Sequence, residues 1–331
     1  MALSLVTGGA GFIGAHVVRH LLEEGHEVIV LDDLSGGFMD NIPPAATFIR
    51  GSICDHELIE KIFSENKVDF VFHLAAYAAE GLSHFIRRFN YNNNLIGSVN
   101  LINEAVKNKV KCFVFTSSIA VYGRGQLPMR EDMLPVPEDP YGISKLAVEM
   151  DLRCAHELFG LDYIIFRPHN VYGEYQNIGD KYRNVVGIFM NQLMQGNPLT
   201  IFGDGSQTRA FSYIGDVAPY IAGSIKNPSA YNQIFNIGAD DEFTVNDLAT
   251  AVCESMGMQG NIRYMEARNE VQHAYADHSK ARELLGVATG FTLREGLKRM
   301  ADWARTVGVR NGERFNNIEI SEKLPPLWLE A

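Results

Sequence analysis

Three side chains in the first half of the sequence have the types and the spacing needed for proton transfer: Ser118, Tyr141 and Lys145. Tyr141 and Lys145 are four residues apart in a segment predicted to be helical, so they lie on one face of that helix. A phenol has a pKa of about 10 and acts as a base at neutral pH only if that pKa falls by about three units, which an adjacent ammonium group favours. Ser118 directly follows a predicted strand and is placed to relay a proton to Tyr141. Because Tyr-x-x-x-Lys is common on helix surfaces, its interpretation depends on the surrounding elements.

The first predicted strand leads directly into a glycine-rich turn. Leu3–Thr7 is followed by Gly8, Gly11 and Gly14, and a predicted helix, Ile13–Glu24, begins within the turn. Glycines at this spacing make a tight turn, let a pyrophosphate approach N–H groups at the helix N-terminus, and let the helix lie close to the sheet. A glycine pattern alone is weak, but its place between a strand and a helix predicts a dinucleotide site.

The second predicted strand, Glu27–Leu31, is followed at once by Asp32. A carboxylate at this position accepts hydrogen bonds from both hydroxyls of the adenosine ribose and repels a 2′-phosphate. Residues 33–40 contain no lysine or arginine that would neutralise it. The sequence therefore predicts NAD rather than NADP. The cationic nicotinamide ring of NAD would also help Lys145 to stabilise a phenolate at Tyr141.

Short β-branched runs alternate with longer amphipathic segments through the first 170 residues. Strands are predicted at Leu3–Thr7, Glu27–Leu31, Thr47–Ile49, Asp69–Leu74, Cys112–Ser117 and Tyr163–Arg167, and helices at Ile13–Glu24, Glu57–Asn66, Gly97–Asn108 and Tyr141–Phe159. This alternation predicts right-handed crossovers and an α/β fold with a doubly wound parallel sheet of the Rossmann type. We expect an NAD-binding domain at residues 1–172 and a smaller α/β substrate-binding domain at 173–331. A segment near 212–238 is a candidate to return to the first domain.

The composition favours a small-molecule enzyme. The chain has 331 residues, of which 46% are hydrophobic and 21% charged, as in a protein with a sizeable core. Its formal charge of −11 argues against general nucleic-acid binding, and it lacks an apolar run long enough to span a membrane. Four scattered cysteines and a strand that starts near Met1 predict a cytoplasmic protein. His16 and His20 lie one turn apart without a third ligand, so we expect a solvated helix face and no metal site.

Longer segments extend these patterns. They read TGGAGFIG at 7–14, LDDLSGG at 31–37, HLAA at 73–76, TSSIAVYG at 116–123, YGISK at 141–145, RPHNVYG at 167–173 and IFGDGSQTRAFSYIGDVA at 201–218. Together they resemble the UDP-sugar 4-epimerases of the extended short-chain dehydrogenase/reductase family, from about residue 2 to 305. The resemblance implies a UDP-sugar held by the second domain with the reacting sugar against nicotinamide. It also implies a homodimer formed through helices near 92–107 and 142–158.

The resemblance also implies a set of binding residues, matched motif by motif. Those implied for NAD are Gly8, Gly11, Phe12, Ile13, Gly14, Asp32, Ser35, Gly36, Ser52, Ile53, Leu74, Ala75, Ala76, Asn94, Thr116, Tyr141, Lys145 and Pro168, with Ser52 and Ile53 at the adenine. Those implied for the UDP-sugar are Ser118, Asn170, Asn184, Val185, Thr200, Phe202, Arg209, Arg268 and Ala274. The two arginines suit a diphosphate, because a guanidinium matches phosphate oxygens in shape and charge. Ala78 stands where the family usually carries a basic residue.

The two positions after Ser118 bear on the reaction. By resemblance, dehydratases carry an acid pair here and decarboxylases a glutamate, because expelling the C6 hydroxyl and removing the C5 proton need a general acid and a general base. This sequence has Ile119 and Ala120, which cannot move a proton, and Ala120 also replaces the cysteine of 3,5-epimerases and keto-sugar reductases. What remains is oxidation at C4 with Tyr141 as base, turnover of the 4-keto sugar, and re-reduction on its other face. The alternatives are a UDP-glucuronate 4-epimerase, another NAD-dependent nucleotide-sugar dehydratase or decarboxylase, and a non-catalytic NAD-sensing regulator, which would typically lack the Tyr/Lys pair.

Two further positions bear on the sugar. By resemblance, uronate 4-epimerases meet the C5 carboxylate with an arginine shortly after the second YG motif, but residues 174–177 here contain no cation. An unpaired carboxylate in a closed site is unfavourable, so UDP-glucuronate is disfavoured unless Lys181 or Arg183 turns inward. Ala274 stands where strict glucose/galactose epimerases carry a bulky residue, which leaves room for an N-acetyl group at C2. We therefore expect UDP-glucose and UDP-galactose as substrates, together with their N-acetyl forms.

Overall fold

The strands of the first half are short runs rich in Val, Ile, Leu and Phe, as expected for strands buried on both faces of a sheet. The structure is a computed structural model, and it describes residues 1–267, 271–288, 290–312 and 315–328. Its strands are β1 (Leu3–Thr7), β2 (Glu27–Asp32), β3 (Thr47–Arg50), β4 (Phe70–His73), β5 (Cys112–Thr116), β6 (Tyr163–Pro168), β7 (Val171–Tyr172), β8 (Leu199–Phe202), β9 (Thr208–Ala210), β10 (Ser212–Tyr213), β11 (Gln233–Ile237), β12 (Glu242–Thr244), β13 (Ile262–Met265) and β14 (His273–Ala274).

Helices separate most of these strands. They are α1 (Phe12–Glu23), α2 (His56–Glu65), α3 (Glu80–Ser83), α4 (Arg87–Tyr91), α5 (Gly97–Lys107), α6 (Pro140–Phe159), α7 (Val185–Met194), α8 (Ala218–Gly223), α9 (Val245–Met256), α10 (Ser279–Leu285) and α11 (Leu293–Val307). One π-helical turn, Asn92–Ile96, joins α4 to α5. In the described residues, no helix is both long enough and apolar enough to cross a membrane. The cytoplasmic location stays a prediction.

Seven strands form one parallel sheet in the order β11-β6-β5-β4-β1-β2-β3. The chain runs outward from β1 to β3 in one direction and then from β4 to β11 in the other. The strand order therefore reverses between β1 and β4, and ligands of such sheets bind in the crevice at the carboxyl ends of the strands beside this reversal. The predicted doubly wound Rossmann sheet is confirmed.

The two faces of this sheet are covered by different helices. Helices α2, α5 and α6 pack on one face, over a cluster that includes Leu5 of β1. Helices α1 and α8 pack against each other on the opposite face, over a cluster that includes Val6. Leu5 and Val6 point to opposite faces of the sheet, as neighbouring residues of a strand do. Both are fully buried because helices cover each face.

The second half contributes to this sheet and also forms small sheets of its own. Strand β11 pairs with β6, and α8 packs on α1, so residues 218–237 belong to the layers of the first half. The remaining pairs are β10 with β7, β12 and β14 with β9, and β13 with β8, supported by α7, α9 and α11. The division of the chain at residue 172 stays a prediction.

Candidate functional site

The turn after β1 is shaped by its glycines to receive a phosphate group. Gly8 has a φ of +73°, and a Cβ there would lie 2.7 Å from the backbone nitrogen of Ala75. A Cβ at Gly14 would lie 2.1 Å from the carbonyl oxygen of Gly8, so only glycine lets α1 approach the turn this closely. The N-cap of α1 is Gly11, and the first turn of the helix carries neither a side-chain cap nor an acidic residue. Its first N–H groups are therefore available to the pyrophosphate of a dinucleotide.

Asp32 ends β2 beside this turn, and backbone N–H groups fix its carboxylate. The N–H of Leu34 donates to Oδ1 at 2.8 Å and that of Ala10 donates to Oδ2 at 3.0 Å. Burial raises the pKa of Asp32, and these two hydrogen bonds oppose that effect. The neighbouring Asp33 is exposed and accepts a hydrogen bond from the N–H of Ser35 at 2.8 Å. Asp32, rather than Asp33, is thus the carboxylate held against the phosphate-binding turn.

Asn94 fixes the loop that follows β4. Its Oδ1 accepts a hydrogen bond from the N–H of Tyr77 at 2.8 Å, and its Nδ2 donates to the carbonyl oxygen of Tyr77 at 3.1 Å. The Asn94 side chain therefore holds the backbone of Tyr77 in the loop after β4 and is not part of the cavity lining. At the predicted adenine end, a Cβ at Gly97 would lie 2.7 Å from Ile53, and the hydroxyl of Ser52 accepts a hydrogen bond from the N–H of Cys54.

Ser118, Tyr141 and Lys145 meet at the carboxyl end of β5. Helix α6 begins at Pro140 because the carboxylate of Asp139 caps it, accepting a hydrogen bond from the N–H of Gly142 at 2.9 Å. The Nζ of Lys145 donates to the carbonyl oxygen of Thr116 at 2.7 Å and lies 5.7 Å from the ring centroid of Tyr141. The Ser118 hydroxyl lies beside the Tyr141 phenol, closely enough to lower its pKa. The structure thus brings together the three side chains that the sequence proposed for proton transfer.

Burial acts on the acid–base groups in opposite directions. It raises the pKa of the Tyr141 phenol above its usual range, although Ser118 and Arg183 oppose this. It lowers the pKa of Lys145 to about 7, against the attraction of Glu149. Both shifts disfavour the charged form, so Lys145 by itself does not give the reduced phenol pKa that the sequence analysis required. The positive charge of a nicotinamide ring in the cavity is the remaining contribution expected from that analysis.

A buried ion pair that the sequence analysis missed supports this end of β5. The carboxylate of Glu149, one turn after Lys145 on α6, pairs with the guanidinium of Arg167 on β6, whose Nε donates to it at 2.9 Å. The Ser117 hydroxyl also donates to Glu149, and the Nη1 of Arg167 donates to the Tyr122 hydroxyl at 2.7 Å. The only sequence signal for this ion pair was the position of Glu149, four residues after Lys145 on the predicted helix. These contacts tie α6 to β5 and β6 and so fix Lys145 relative to Thr116.

One cavity of about 980 Å³ extends from the phosphate-binding turn to the small sheets of the second half. The predicted residues that line it are Phe12, Ile13, Leu74, Ala76, Thr116, Ser118, Tyr141, Lys145, Pro168, Asn170, Asn184, Val185, Thr200, Phe202, Arg209 and Ala274. The predicted residues that are not part of this lining are Gly8, Gly11, Gly14, Asp32, Ser35, Gly36, Ser52, Ile53, Ala75 and Asn94. Arg268 lies outside the described residues.

Arg209 is oriented by backbone carbonyl groups at the far end of the cavity. Its Nη1 donates to the carbonyl oxygens of Thr208 at 2.8 Å and Gln272 at 3.0 Å, and its Nη2 donates to that of Val271. The nearby Thr200 hydroxyl accepts a hydrogen bond from Gln192 at 2.8 Å. A guanidinium held in this way at the cavity edge suits the diphosphate of a nucleotide sugar.

The cavity is also lined by four residues that the sequence analysis did not assign, Glu80, His84, Tyr182 and Trp328, and by Arg183, which it named only as a cation that could turn inward. Arg183 turns inward: its guanidinium lies 4.8 Å from the ring centroid of Tyr77, and its Nε donates to Asp180 at 2.8 Å. The sequence analysis disfavoured UDP-glucuronate unless Lys181 or Arg183 turned inward, and Arg183 does so. The charge of its guanidinium is already neutralised by Asp180.

The prediction that the His16 side of α1 is solvated is wrong. The His16 ring packs on Tyr175, with 5.1 Å between ring centroids, and its Nε2 lies 3.0 Å from the carbonyl oxygen of Glu174. Burial lowers the pKa of His16 to about 4, because this part of α1 faces the second half of the chain. Among the described residues, no group of three His, Cys, Asp or Glu side chains is arranged to hold a metal ion.

A sequence profile of the NAD dependent epimerase/dehydratase family matches residues 4–238. The chain belongs to this family. It is 38% identical to UDP-glucose 4-epimerase from Thermotoga maritima, solved with UDP-glucose, with a TM-score of 0.88 over 92% of this chain and 99% of that one. A UDP-N-acetylglucosamine 4-epimerase from Methanobrevibacter ruminantium, solved with UDP-N-acetylmuramic acid, shares 30% identity at a TM-score of 0.86. A UDP-glucuronic acid 4-epimerase from Bacillus cereus, solved with UDP-glucuronic acid and NAD, shares 28% identity at a TM-score of 0.84. Each of these two matches covers 92% of this chain and 99% of the other chain.

NAD is the cofactor of this epimerase/dehydratase family member. The residues present fit it, because any Cβ at Gly8 or Gly14 would fill the turn, and the Asp32 carboxylate is held beside it. Phe12 and Ile13 open α1 at the cavity, and Thr116 and Pro168 line it at the ends of β5 and β6. These positions lie along the carboxyl edge of the sheet, next to the reversal of strand order.

Proposed function

We propose that this chain interconverts UDP-glucose and UDP-galactose by inverting C4, and that it also accepts their N-acetyl forms. The observation that carries the proposal is the meeting of Ser118, Tyr141 and Lys145 in a cavity whose adjoining positions are Ile119 and Ala120. The proton-transfer groups needed at C4 are present, whereas the two positions that would serve elimination or decarboxylation carry aliphatic side chains.

In this mechanism the chain's own side chains handle the proton of the C4 hydroxyl. Tyr141 takes that proton, directly or through the Ser118 hydroxyl, and returns it when C4 is reduced again. Lys145, anchored on the Thr116 carbonyl oxygen, supplies an ammonium group that stabilises the phenolate electrostatically. NAD supplies the hydride acceptor, and then the hydride donor, at C4. The 4-keto sugar must turn over between these two steps to present its other face.

Two carboxylates that line the cavity beside Tyr141 in sequence are engaged in structural contacts. Asp139 accepts the capping hydrogen bond from Gly142, and Glu138 is paired with Arg124 at 2.8 Å. Both line the cavity, but each has a structural partner. This arrangement supports C4 inversion over dehydration or decarboxylation. Turnover of any UDP-sugar would separate either enzymatic function from a non-catalytic NAD-sensing role.

Ala274 carries the prediction for the N-acetyl sugars. It lines the cavity, pairs with Arg209 across β14 and β9, and packs in a cluster with Ile119, which follows Ser118. A small side chain beside the reacting residues is what a bulky C2 substituent requires. Ala274→Tyr should suppress turnover of UDP-N-acetylglucosamine and spare UDP-glucose, and Ala274→Ser is the matched control with retained N-acetyl turnover. If the tyrosine variant slows both substrates equally, Ala274 does not border C2.

UDP-glucuronate is the second candidate, and the inward position of Arg183 is the observation that favours it. A substrate carboxylate at this cation would compete with Asp180 for it. We therefore propose that wild type prefers UDP-glucose in a panel with UDP-N-acetylglucosamine and UDP-glucuronate, scored by kcat/KM. A preference for UDP-glucuronate that Arg183→Gln abolishes would replace our first candidate by the second.

We also propose a homodimer built from α5, α6 and the residues before α5, as the resemblance implies. Ile96, Ile143, Met150 and Phe159 are exposed apolar side chains on or beside these helices. Burying them against a second copy would remove apolar surface from water. Light scattering should give twice the mass of one chain, and Met150→Glu should shift that mass toward one chain. A wild-type mass of a single chain would contradict the proposal.

A further inference from the structure

The segment 315–328 is fastened to the connection between β4 and α5. The Glu319 carboxylate accepts hydrogen bonds from the N–H groups of Arg88 and Phe89, both at 2.8 Å. The N–H groups of Glu319 and Ile320 donate to the carbonyl oxygen of Phe85 at 2.8 and 3.2 Å. These bonds fix the course of the segment over residues 85–89.

Aromatic rings continue this attachment on both sides. Phe315 packs on Phe89 and Tyr77, with centroid distances of 4.9 and 5.2 Å. Trp328 packs edge-on against Tyr182 at 5.5 Å and against Phe85 at 6.2 Å. The cluster therefore joins the loop after β4 to Tyr182 from the second half of the chain. Trp328 is almost fully buried.

Trp328 lies at the end of the cavity where the sugar reacts. It lines the same cavity as Tyr141, and a Cβ at Gly81 would lie 3.2 Å from its Cη2 atom. Glu80, the neighbour of Gly81, is close enough to Tyr141 for its charge to raise the pKa of the phenol. The nucleotide-binding candidates Thr200 and Arg209 belong instead to the small sheets formed by β8 and β9. The indole is thus on the Tyr141 side of the cavity.

We infer that Trp328 is a specificity-determining wall that selects the substituent at C5 of the sugar. The inference rests on the proposed C4 chemistry, which places C4 at Tyr141 and hence C3 and C5 nearest to this wall. Among UDP-sugars that can be inverted at C4, the C5 substituent is the one that differs between pentoses, hexoses and uronates. Contact with an apolar indole edge favours the hydroxymethyl group of a hexose over a pentose, which has no substituent at C5 and would leave a gap. The same contact disfavours the carboxylate of a uronate, because it would remove water from the charged group.

The first test compares kcat/KM for UDP-glucose, UDP-xylose and UDP-glucuronate in wild type, Trp328→Ala and Leu324→Ala. Leu324 is buried in the same cluster but does not line the cavity, so its variant controls for loss of packing. Trp328→Ala should change the ratio of UDP-glucose to each of the other two substrates by about tenfold, the usual effect of one misfitted group in a pocket. Leu324→Ala should leave both ratios at the wild-type value. Unchanged ratios in Trp328→Ala, or equal changes in both variants, would overturn the inference.

A second test does not depend on turnover. Trp303 and Trp328 are the two tryptophans of the chain, so Trp303→Phe leaves Trp328 as the single indole fluorophore. Adding UDP-glucose to this variant should change the emission of Trp328, and adding UDP alone should not. If UDP and UDP-glucose act alike, Trp328 does not border the sugar and the inference fails. If the emission of Trp328 responds to UDP-glucose but C4 is not inverted, Trp328 borders the sugar and the proposed reaction is wrong.

Discussion

The cofactor half and the sugar half of the cavity are built in different ways. The cofactor half consists of the turn after β1, Asp32 and the ends of β4, β5 and β6, and its shape depends largely on backbone atoms. The sugar half takes residues from 170–211, 271–276 and 315–328, and its shape depends on side chains brought from distant segments. Tyr141 stands where the two halves meet.

The difference teaches that the two halves can vary independently. A backbone cradle such as Gly8 to Gly14 tolerates almost no added atom, since a Cβ at Gly14 would overlap the Gly8 carbonyl oxygen. The sugar half is instead lined by replaceable side chains, among them Ala274 and Trp328, over a fixed reacting centre. Changes in the first half should therefore alter cofactor binding or the chemical step, and changes in the second should alter the choice of sugar.

The largest expected effect is at the meeting point of the halves. Tyr141→Phe removes the acid–base group and should lower kcat by about a hundredfold or more, while bound NAD is retained. Tyr163→Phe is the matched control, because Tyr163 is also a buried tyrosine but lies outside the cavity lining. Absorbance of released cofactor and initial rates measure the two properties. Near-normal turnover in Tyr141→Phe would remove Tyr141 from the mechanism.

A smaller effect is expected within the cofactor half alone. Asp32→Ala removes a charged acceptor for the ribose and should weaken NAD binding by about tenfold to a hundredfold, a range typical of a lost hydrogen bond to a charged group. It should also relax the discrimination against NADP, because the repelling charge is gone. The exposed neighbour supplies the control: Asp33→Ala should leave NAD affinity unchanged. Calorimetric titration with both cofactors would show whether the ribose lies at Asp32, and equal losses in the two variants would place it elsewhere.

Sequence reasoning succeeded where the signal is local. The predicted strand Leu3–Thr7 matches β1, and the predicted helix Tyr141–Phe159 differs from α6 only by Pro140, because period and capping are encoded in neighbouring residues. Strand β11 was located only as a returning segment, since it joins the sheet after a long excursion. Trp328 could not be assigned, because its place in the cavity depends on contacts with Phe85 and Gly81, more than two hundred residues away. The inward position of Arg183 could only be stated as a condition, because it depends on a contact with Tyr77 across more than a hundred residues.

A further expected effect is a change of stability with pH, which compares one buried histidine from each half. Burial lowers the pKa values of His73 and His169 to about 3, whereas an unfolded histidine has a pKa of about 6.5. Between these values the unfolded chain binds more protons than the folded one, so stability falls as the pH drops from about 6.5 toward 3. Each histidine should lower the free energy of unfolding by about 1 kcal/mol per pH unit in this window.

Urea unfolding between pH 7 and pH 4 measures this slope. His73 bridges the hydroxyls of Thr7 and Ser98, at 2.7 Å each, and His169 contacts His278 at 2.9 Å. His73→Gln and His169→Gln should each flatten the slope by a similar amount, whatever their effect on stability at pH 7. A variant that keeps the full wild-type slope would show that its histidine is already protonated in the folded chain.

The central claim is that the site removes hydrogen from C4 and returns the same hydrogen to the other face. Incubating the enzyme with UDP-glucose deuterated at C4, in ordinary water, tests this claim directly. Nuclear magnetic resonance of the product should show UDP-galactose with the deuterium retained at C4 and none exchanged into the solvent. UDP-galactose that carries solvent hydrogen at C4, or label lost from another carbon, would contradict the account.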